Sequence, residues 1–190
     1  MAETYFQLKP ITFLNRRVSI LLQNENGPCP LLAICNVLLL RNAISIHEDI
    51  PSVSLETLLR LVANPLLENN QLGSDRSSFE VANSQQALND AIGMLPRLQH
   101  GLDVNVQFCS PSGVTGFEFT QEFAPFDLLD ITLAHGWLVD PQDTKSVAGL
   151  ANMTYNHVVE LQFAYRAAQD RAAGLTGGAG GGEAGTAGTA

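Results

Sequence analysis

"ILLQNENGPCPLLAICNVLLLR", residues 20–41, decides how the chain is read. From Pro30 to Arg41 it carries leucine, isoleucine and valine on nearly every side, interrupted by Asn36. A helix that is apolar almost all round belongs inside a core. Pro30 suits its first turn, where a missing N–H costs nothing, and Asn42 suits its stop. The stretch before the helix is of another kind. Gln23, Asn24, Glu25 and Asn26 form a polar patch, Gly27 and Pro28 shape a tight approach, and Cys29 stands between two prolines at the helix start.

A thiol attacks as its thiolate, and the unpaired N–H groups and partial positive charge of a helix N-terminus favour an anion there. Cys29 is therefore the candidate nucleophile. Gln23 carries an amide N–H that can donate to a developing oxyanion, the contribution that usually dominates acyl transfer. The plainer reading is that Cys29 is a small apolar residue in a proline-kinked loop. Cys35, inside the apolar helix, and Cys109, at the end of an alternating run, read as structural. The histidines are His47, His100, His135 and His157. His135 is the first choice of base from the residues alone. It follows Cys29 in the order of papain-like enzymes, precedes Gly136 and the single tryptophan, and has Asp140 nearby to orient it.

With 190 residues, 45% apolar and 15% charged, the chain suffices for one domain of ordinary size. Residues 3–170 are expected to fold. Residues 171–190, dominated by Gly, Ala and Thr, have too little to bury and are expected to be a disordered tail. The net charge of −9 and the lack of a basic run disfavour nucleic acid as a partner. The longest apolar run, Leu31 to Leu40, is too short for a bilayer, so no membrane partner is expected. The first residues lack a secretory pattern. Three cysteines without metal spacing point to reduced thiols in the cytoplasm or nucleus, and to no metal site.

"TYFQLKPITF" and "RRVSILLQN" read as short extended pieces, with Pro10 and Asn15-Arg16-Arg17 as breakers. A helix with Leu55, Leu58, Leu59 and Val62 on one face is expected after Ser52 or Ser54. Another is expected with Ala87, Ala91, Met94 and Leu95 inward. "LDVNVQFCS" and "GFEFTQEF" alternate like strands, and "APFDLLDITLAHGWLVDPQD" reads as a short helix running into an apolar strand. The segment from Ser146 reads as mostly helical, capped by Asn152 or Thr154. Helices first and strands later, without regular alternation, give an α+β class.

These blocks also carry a family resemblance. "QNENGPCPLLAICNVLLL", "LPRLQHGLDVNVQF", "FEFTQEFAPFDLLDITLAHGWLVDPQD" and "MTYNHVVE" resemble, in the same order, the blocks of the MINDY deubiquitinases over residues 5–162. The resemblance implies a papain-like α+β cysteine peptidase that hydrolyses isopeptide bonds in lysine-48-linked polyubiquitin. Cys29 would be its nucleophile and Gln23 its oxyanion donor. It implies that Asp103, Val104, Trp137 and Tyr155 help hold ubiquitin, and that no metal or organic cofactor is needed. It also implies that His135 is not the base. The family's base lies in a later strand segment of the form F-F-R-N-N-H-F, which these 190 residues do not contain. The chain is thus expected to lack the C-terminal strands of that fold. The alternative to an active deubiquitinase is an inactive ubiquitin-binding module or an incomplete gene product.

Overall fold

The computed structural model describes residues 4–23, 28–70, 78–108, 113–136 and 139–177. The chain divides into two compact units, Met1–Val104 with Phe117–His135, and Asn105–Gly116 with Gly136–Ala190.

The first unit opens on a hairpin of β1 (Tyr5–Phe13) and β2 (Arg16–Leu21), antiparallel, with Phe13 opposite Arg16 and Leu8 opposite Leu21. Leu14 and Asn15 connect them with φ of 46° and 61°. Two positive φ values in a two-residue loop give the turn whose twist matches the strands. Pro10 does not break β1 as expected: it lies within the strand, opposite Ser19. Hydrogen-bonded pairs alternate outward from Phe13–Arg16, so Pro10 falls on a non-bonded pair, where its missing N–H costs no ladder bond. A third strand that the sequence did not announce, β3 (Ser52–Ser54), pairs with Tyr5–Gln7 and gives the order β2-β1-β3.

α1 (Cys29–Leu40) is the central helix. Leu31, Ile34 and Cys35 are fully buried, and Leu32, Leu38 and Leu39 nearly so. It stops where Asn42 takes a φ of 61°. The Asn42 N–H bonds to the Leu39 carbonyl at 3.1 Å and the Ala43 N–H to the Leu38 carbonyl at 2.9 Å. That crossed pair is the Schellman close of a helix. α2 (Leu55–Asn69) begins at Ser54, whose Oγ accepts the Thr57 N–H at 3.3 Å, and it buries Leu58, Val62, Pro65 and Leu66. α3 (Ser78–Met94) runs into a 3-10 turn at Leu95–Gln99. Its inward face is Leu88, Ala91, Met94 and Leu95; Ala87, expected inside, is exposed and Leu88 takes its place. α4 (Ala124–Leu128) adds Phe126, with Leu129 just beyond it. Leu58, Val62, Leu66, Leu88, Leu95, Phe126 and Leu129 form one core with α1 and with Phe6, Val18 and Leu21 of the sheet.

The helix-then-strand order is reversed: the sheet comes first, and the later alternating runs do not form ladders among the described residues. "GFEFTQEF" fails because its phenylalanines do not share a face, as strand residues two apart must. Phe117 packs edge-on against Phe123, with ring centroids 5.7 Å apart, whereas Phe119 is 78% exposed. The chain then turns through a 3-10 helix at Gln121–Phe123. From Ile131 to His135 half-buried and exposed residues alternate as expected.

In the second unit, "VNVQF" makes an antiparallel bridge from Gln107 to Thr154, and the Gln107 N–H bonds to the Gly116 carbonyl at 3.0 Å. The Phe108 N–H bonds to the Met153 carbonyl at 2.9 Å and the Tyr155 N–H to the Val106 carbonyl at 2.8 Å. Pairing stops there because its partner turns into a helix at Tyr155. The segment from Thr144 is two helices. α5 (Thr144–Leu150) is capped by Asp143, which accepts from the Ser146 N–H at 3.1 Å. The Ser146 hydroxyl, then its N–H, holds that carboxyl below its ordinary range. α6 (Tyr155–Gly177) is capped by Thr154, whose Oγ1 accepts the His157 N–H at 3.3 Å. It continues past Gly174, where the Gly/Ala/Thr composition sets in; the rest of the expected tail, like Cys109, lies outside the described residues.

Candidate active site

Two elements of the first unit bring the site together. β2 ends at Leu21, and the next residue stays aligned to the sheet, with the Leu22 N–H bonded to the Gln7 carbonyl at 2.9 Å. Gln23 follows directly. On the outer side of β2, the Leu21 N–H donates to Asn36 Oδ1 at 2.8 Å, and Asn36 Nδ2 donates to the Leu21 carbonyl at 3.1 Å. α1 begins at Cys29 itself, and the Leu32 N–H makes the first helical bond to the Pro28 carbonyl at 3.0 Å. Among the described residues no side chain caps this helix start, and Pro30 contributes no N–H.

Cys29 is exposed at that start. Gln23, also exposed, turns its amide onto the thiol, with Nε2 donating to Sγ at 2.9 Å. An amide at that distance can donate to an oxygen on a carbon bonded to Sγ, and a helix N-terminus favours negative charge. Cys35 is the contrast within one helix: burial pushes its thiol up from 9.0 to about 12, which leaves it a neutral packing group. Asn24, Glu25, Asn26 and Gly27, the rest of the polar approach, lie outside the described residues.

The histidines are placed elsewhere. His135 is half-buried and stands edge-on to Phe117, with ring centroids 5.4 Å apart and planes at 89°. His47 pairs with Asp49 at 3.3 Å on the surface. Among the described residues of this unit, none of His47, His100 and His135 is hydrogen-bonded to the Cys29 thiol. His157 and Asp140 belong to the second unit. Of the expected ubiquitin contacts, Asp103 is exposed and Val104 half-buried in the first unit. Tyr155 is 54% exposed at the start of α6 in the second unit. Trp137 lies outside the described residues. Among the described residues no cluster of three or more His, Cys, Asp or Glu could hold a metal ion, and no helix is long and apolar enough to cross a membrane.

Sequence reasoning missed Asn36. Its signal was present: a single amide inside an apolar helix, two turns beyond Cys29 and hence on the same face.

An exposed thiol at a helix start with an amide donor on its sulfur is an arrangement that thiol hydrolysis can use. The comparisons agree with that class. A family model described as MINDY deubiquitinase matches residues 4–179, further than the 5–162 read from the motifs. The chain belongs to this family. Ubiquitin carboxyl-terminal hydrolase MINDY-1 of Danio rerio is 39% identical over 166 residues, covering 87% of this chain and 31% of that protein. Ubiquitin carboxyl-terminal hydrolase MINDY-2 of Mus musculus is 42% identical over 158 residues, covering 83% and 26%. The human MINDY-2 is 41% identical over 158 residues, covering 83% and 25%. The chain thus spans a quarter to a third of the length of the curated relatives it matches.

Proposed function

We propose that this chain acts as a cysteine-type deubiquitinase on a papain-like fold, hydrolysing isopeptide bonds in lysine-48-linked polyubiquitin. The observation that carries the proposal is the 2.9 Å contact from Gln23 Nε2 to Cys29 Sγ at the start of α1. The Cys29 thiolate adds to the isopeptide carbonyl carbon, and its oxygen takes the negative charge. Gln23 donates to that oxyanion from a preformed position, an arrangement worth about 100-fold or more in rate. Collapse of the adduct breaks the C–N bond, the lysine amine leaves with a proton, and water hydrolyses the thioester. The proton donor is the partner that a nucleophilic cysteine needs. The family resemblance assigns it to a histidine segment that these residues do not contain, not to His135. Asp103, Val104, Trp137 and Tyr155 are the proposed ubiquitin contacts.

Ubiquitin binding without hydrolysis is the second reading, and the exposure of Asp103 and Tyr155, two of the proposed contacts, favours it. Lysine-48-linked di-ubiquitin and di-ubiquitin of another linkage separate the readings. Cleavage of the first alone, abolished by Cys29→Ala and lowered about 100-fold by Gln23→Ala, supports hydrolysis. Saturable binding with no cleavage by the unaltered chain would leave the binding module.

A further inference from the structure

We infer that Asn36 is a positioning residue that holds the Gln23 amide over Cys29. The inference rests on the reading of Gln23 as the oxyanion donor. Among the described residues β2 is an edge strand, with β1 on one side and no strand on the other. The register from Phe13–Arg16 leaves the Leu21 N–H and carbonyl pointing away from β1. The Asn36 carboxamide meets both groups, at 2.8 and 3.1 Å, and so stands in for the missing strand at that one residue. On the opposite side, the Leu22 N–H is held by the Gln7 carbonyl. The chain is thus gripped from both sides immediately before Gln23.

The grip comes from the helix that carries the nucleophile. Asn36 and Cys29 are seven residues apart on α1, two turns and about 10 Å along one face. A rigid helix therefore joins sulfur and clamp. The amide that would meet the oxyanion is referenced to the sulfur through Asn36, Leu21 and Leu22. Positional tolerance is small at such a site, where a shift of about 1 Å can cost about 100-fold in rate. An asparagine serving only to satisfy a strand edge would matter for stability and not for where the Gln23 amide lies.

Two measurements on the full chain test this. The Gln23 side-chain amide is followed by 15N–1H correlation NMR in the unaltered chain, Cys29→Ala, Asn36→Leu and Asn36→Asp. Asn36→Leu is expected to move the Gln23 amide to the position it holds in Cys29→Ala. Asn36→Asp, which keeps the acceptor for the Leu21 N–H, is expected to fall between. Asn70→Ala removes a comparable clamp, from Asn70 Nδ2 to the Leu66 and Leu128 carbonyls, and is expected to leave the resonance unmoved. In turnover of lysine-48-linked di-ubiquitin, Asn36→Leu is expected to lower kcat about tenfold with KM unchanged, a partial misplacement of one donor. Combined with Gln23→Ala it should lower kcat no further than Gln23→Ala alone, because residues acting through one another are not additive. A Gln23 resonance unmoved in both Asn36 variants, or kcat losses that multiply, would overturn the inference. Should the unaltered chain not turn over di-ubiquitin, the hydrolase reading fails, and the NMR result still decides whether Asn36 positions Gln23.

Discussion

Arg16 gives the sharpest test of how α1 is held. Its guanidinium donates to the Leu40 carbonyl at 2.6 Å, partly buried, and to Asn42 Oδ1 at 2.9 Å, exposed. Both acceptors belong to the end of α1, so the contact closes the helix and ties it to the β1–β2 hairpin. A charged donor on a partly buried carbonyl contributes about 1.5 kcal/mol, and the exposed bond about 0.5 kcal/mol. A cation at a helix C-terminus adds about 0.5 kcal/mol at low salt. Methionine keeps most of the apolar stem and loses all three, so Arg16→Met is expected to cost about 2 kcal/mol after the entropy of fixing the arginine is subtracted. The neighbouring Arg17→Met makes the same charge change. It removes a pair with Glu48 at 3.5 Å whose side chains are 70% and 51% exposed. Such a pair is worth about 0.5 kcal/mol or less. Urea unfolding followed by far-ultraviolet circular dichroism measures both, with the slope checked for constancy. Raising the salt to about 1 M should narrow only the dipole part of the Arg16 gap. An Arg16→Met midpoint equal to that of Arg17→Met would refute the capping argument.

Two further outcomes follow from local geometry. Leu14 is 81% exposed and held at a φ of 46°, a conformation that costs a leucine about 1 kcal/mol. Leu14→Asn, which suits that position of the turn, is expected to raise stability by about 1 kcal/mol in the same urea assay. Cys35 has its thiol raised by burial to about 12, so the folded chain keeps a proton that the unfolded chain loses above about 9. Its contribution is therefore complete below pH 9 and is lost as the pH rises toward 12, by up to about 1.4 kcal/mol per unit. Cys35→Val should lack this loss, and parallel stability–pH curves for the two proteins would contradict it.

The sequence was legible where a pattern carried its own partner. α1 could be read from end to end because an all-round apolar stretch bounded by Pro30 and Asn42 has one stable environment. The hairpin strands could be read because each lies beside the other in the chain. The later alternating runs misled for the converse reason. Alternation around Val104 and Phe117 describes which way side chains point, but a ladder needs an extended neighbour. Residues 106–108 meet only short neighbours among the described residues, at 153–155 and at Gly116, and the exposure of Phe119 breaks the face shared with Phe117. Ala87 and Leu88 show the limit of helical spacing, since a one-residue rotation exchanges them. In the site, sequence offered Gln23 and Cys29 as a pair of residue types six positions apart, and the fold made them a 2.9 Å contact. Asn36 registered only as a break in an apolar run because its partner is a backbone, which no side-chain motif reveals.

The central claim is that Cys29 is a nucleophile served by Gln23. Ubiquitin bearing a C-terminal thiol trap, incubated with the full chain and followed by intact-mass spectrometry, tests it most directly. The account requires one ubiquitin added per chain, located on Cys29 by peptide mapping, absent in Cys29→Ala, slowed in Gln23→Ala and retained in His135→Ala. Labelling on Cys35 or Cys109, or labelling that persists in Cys29→Ala, would contradict it.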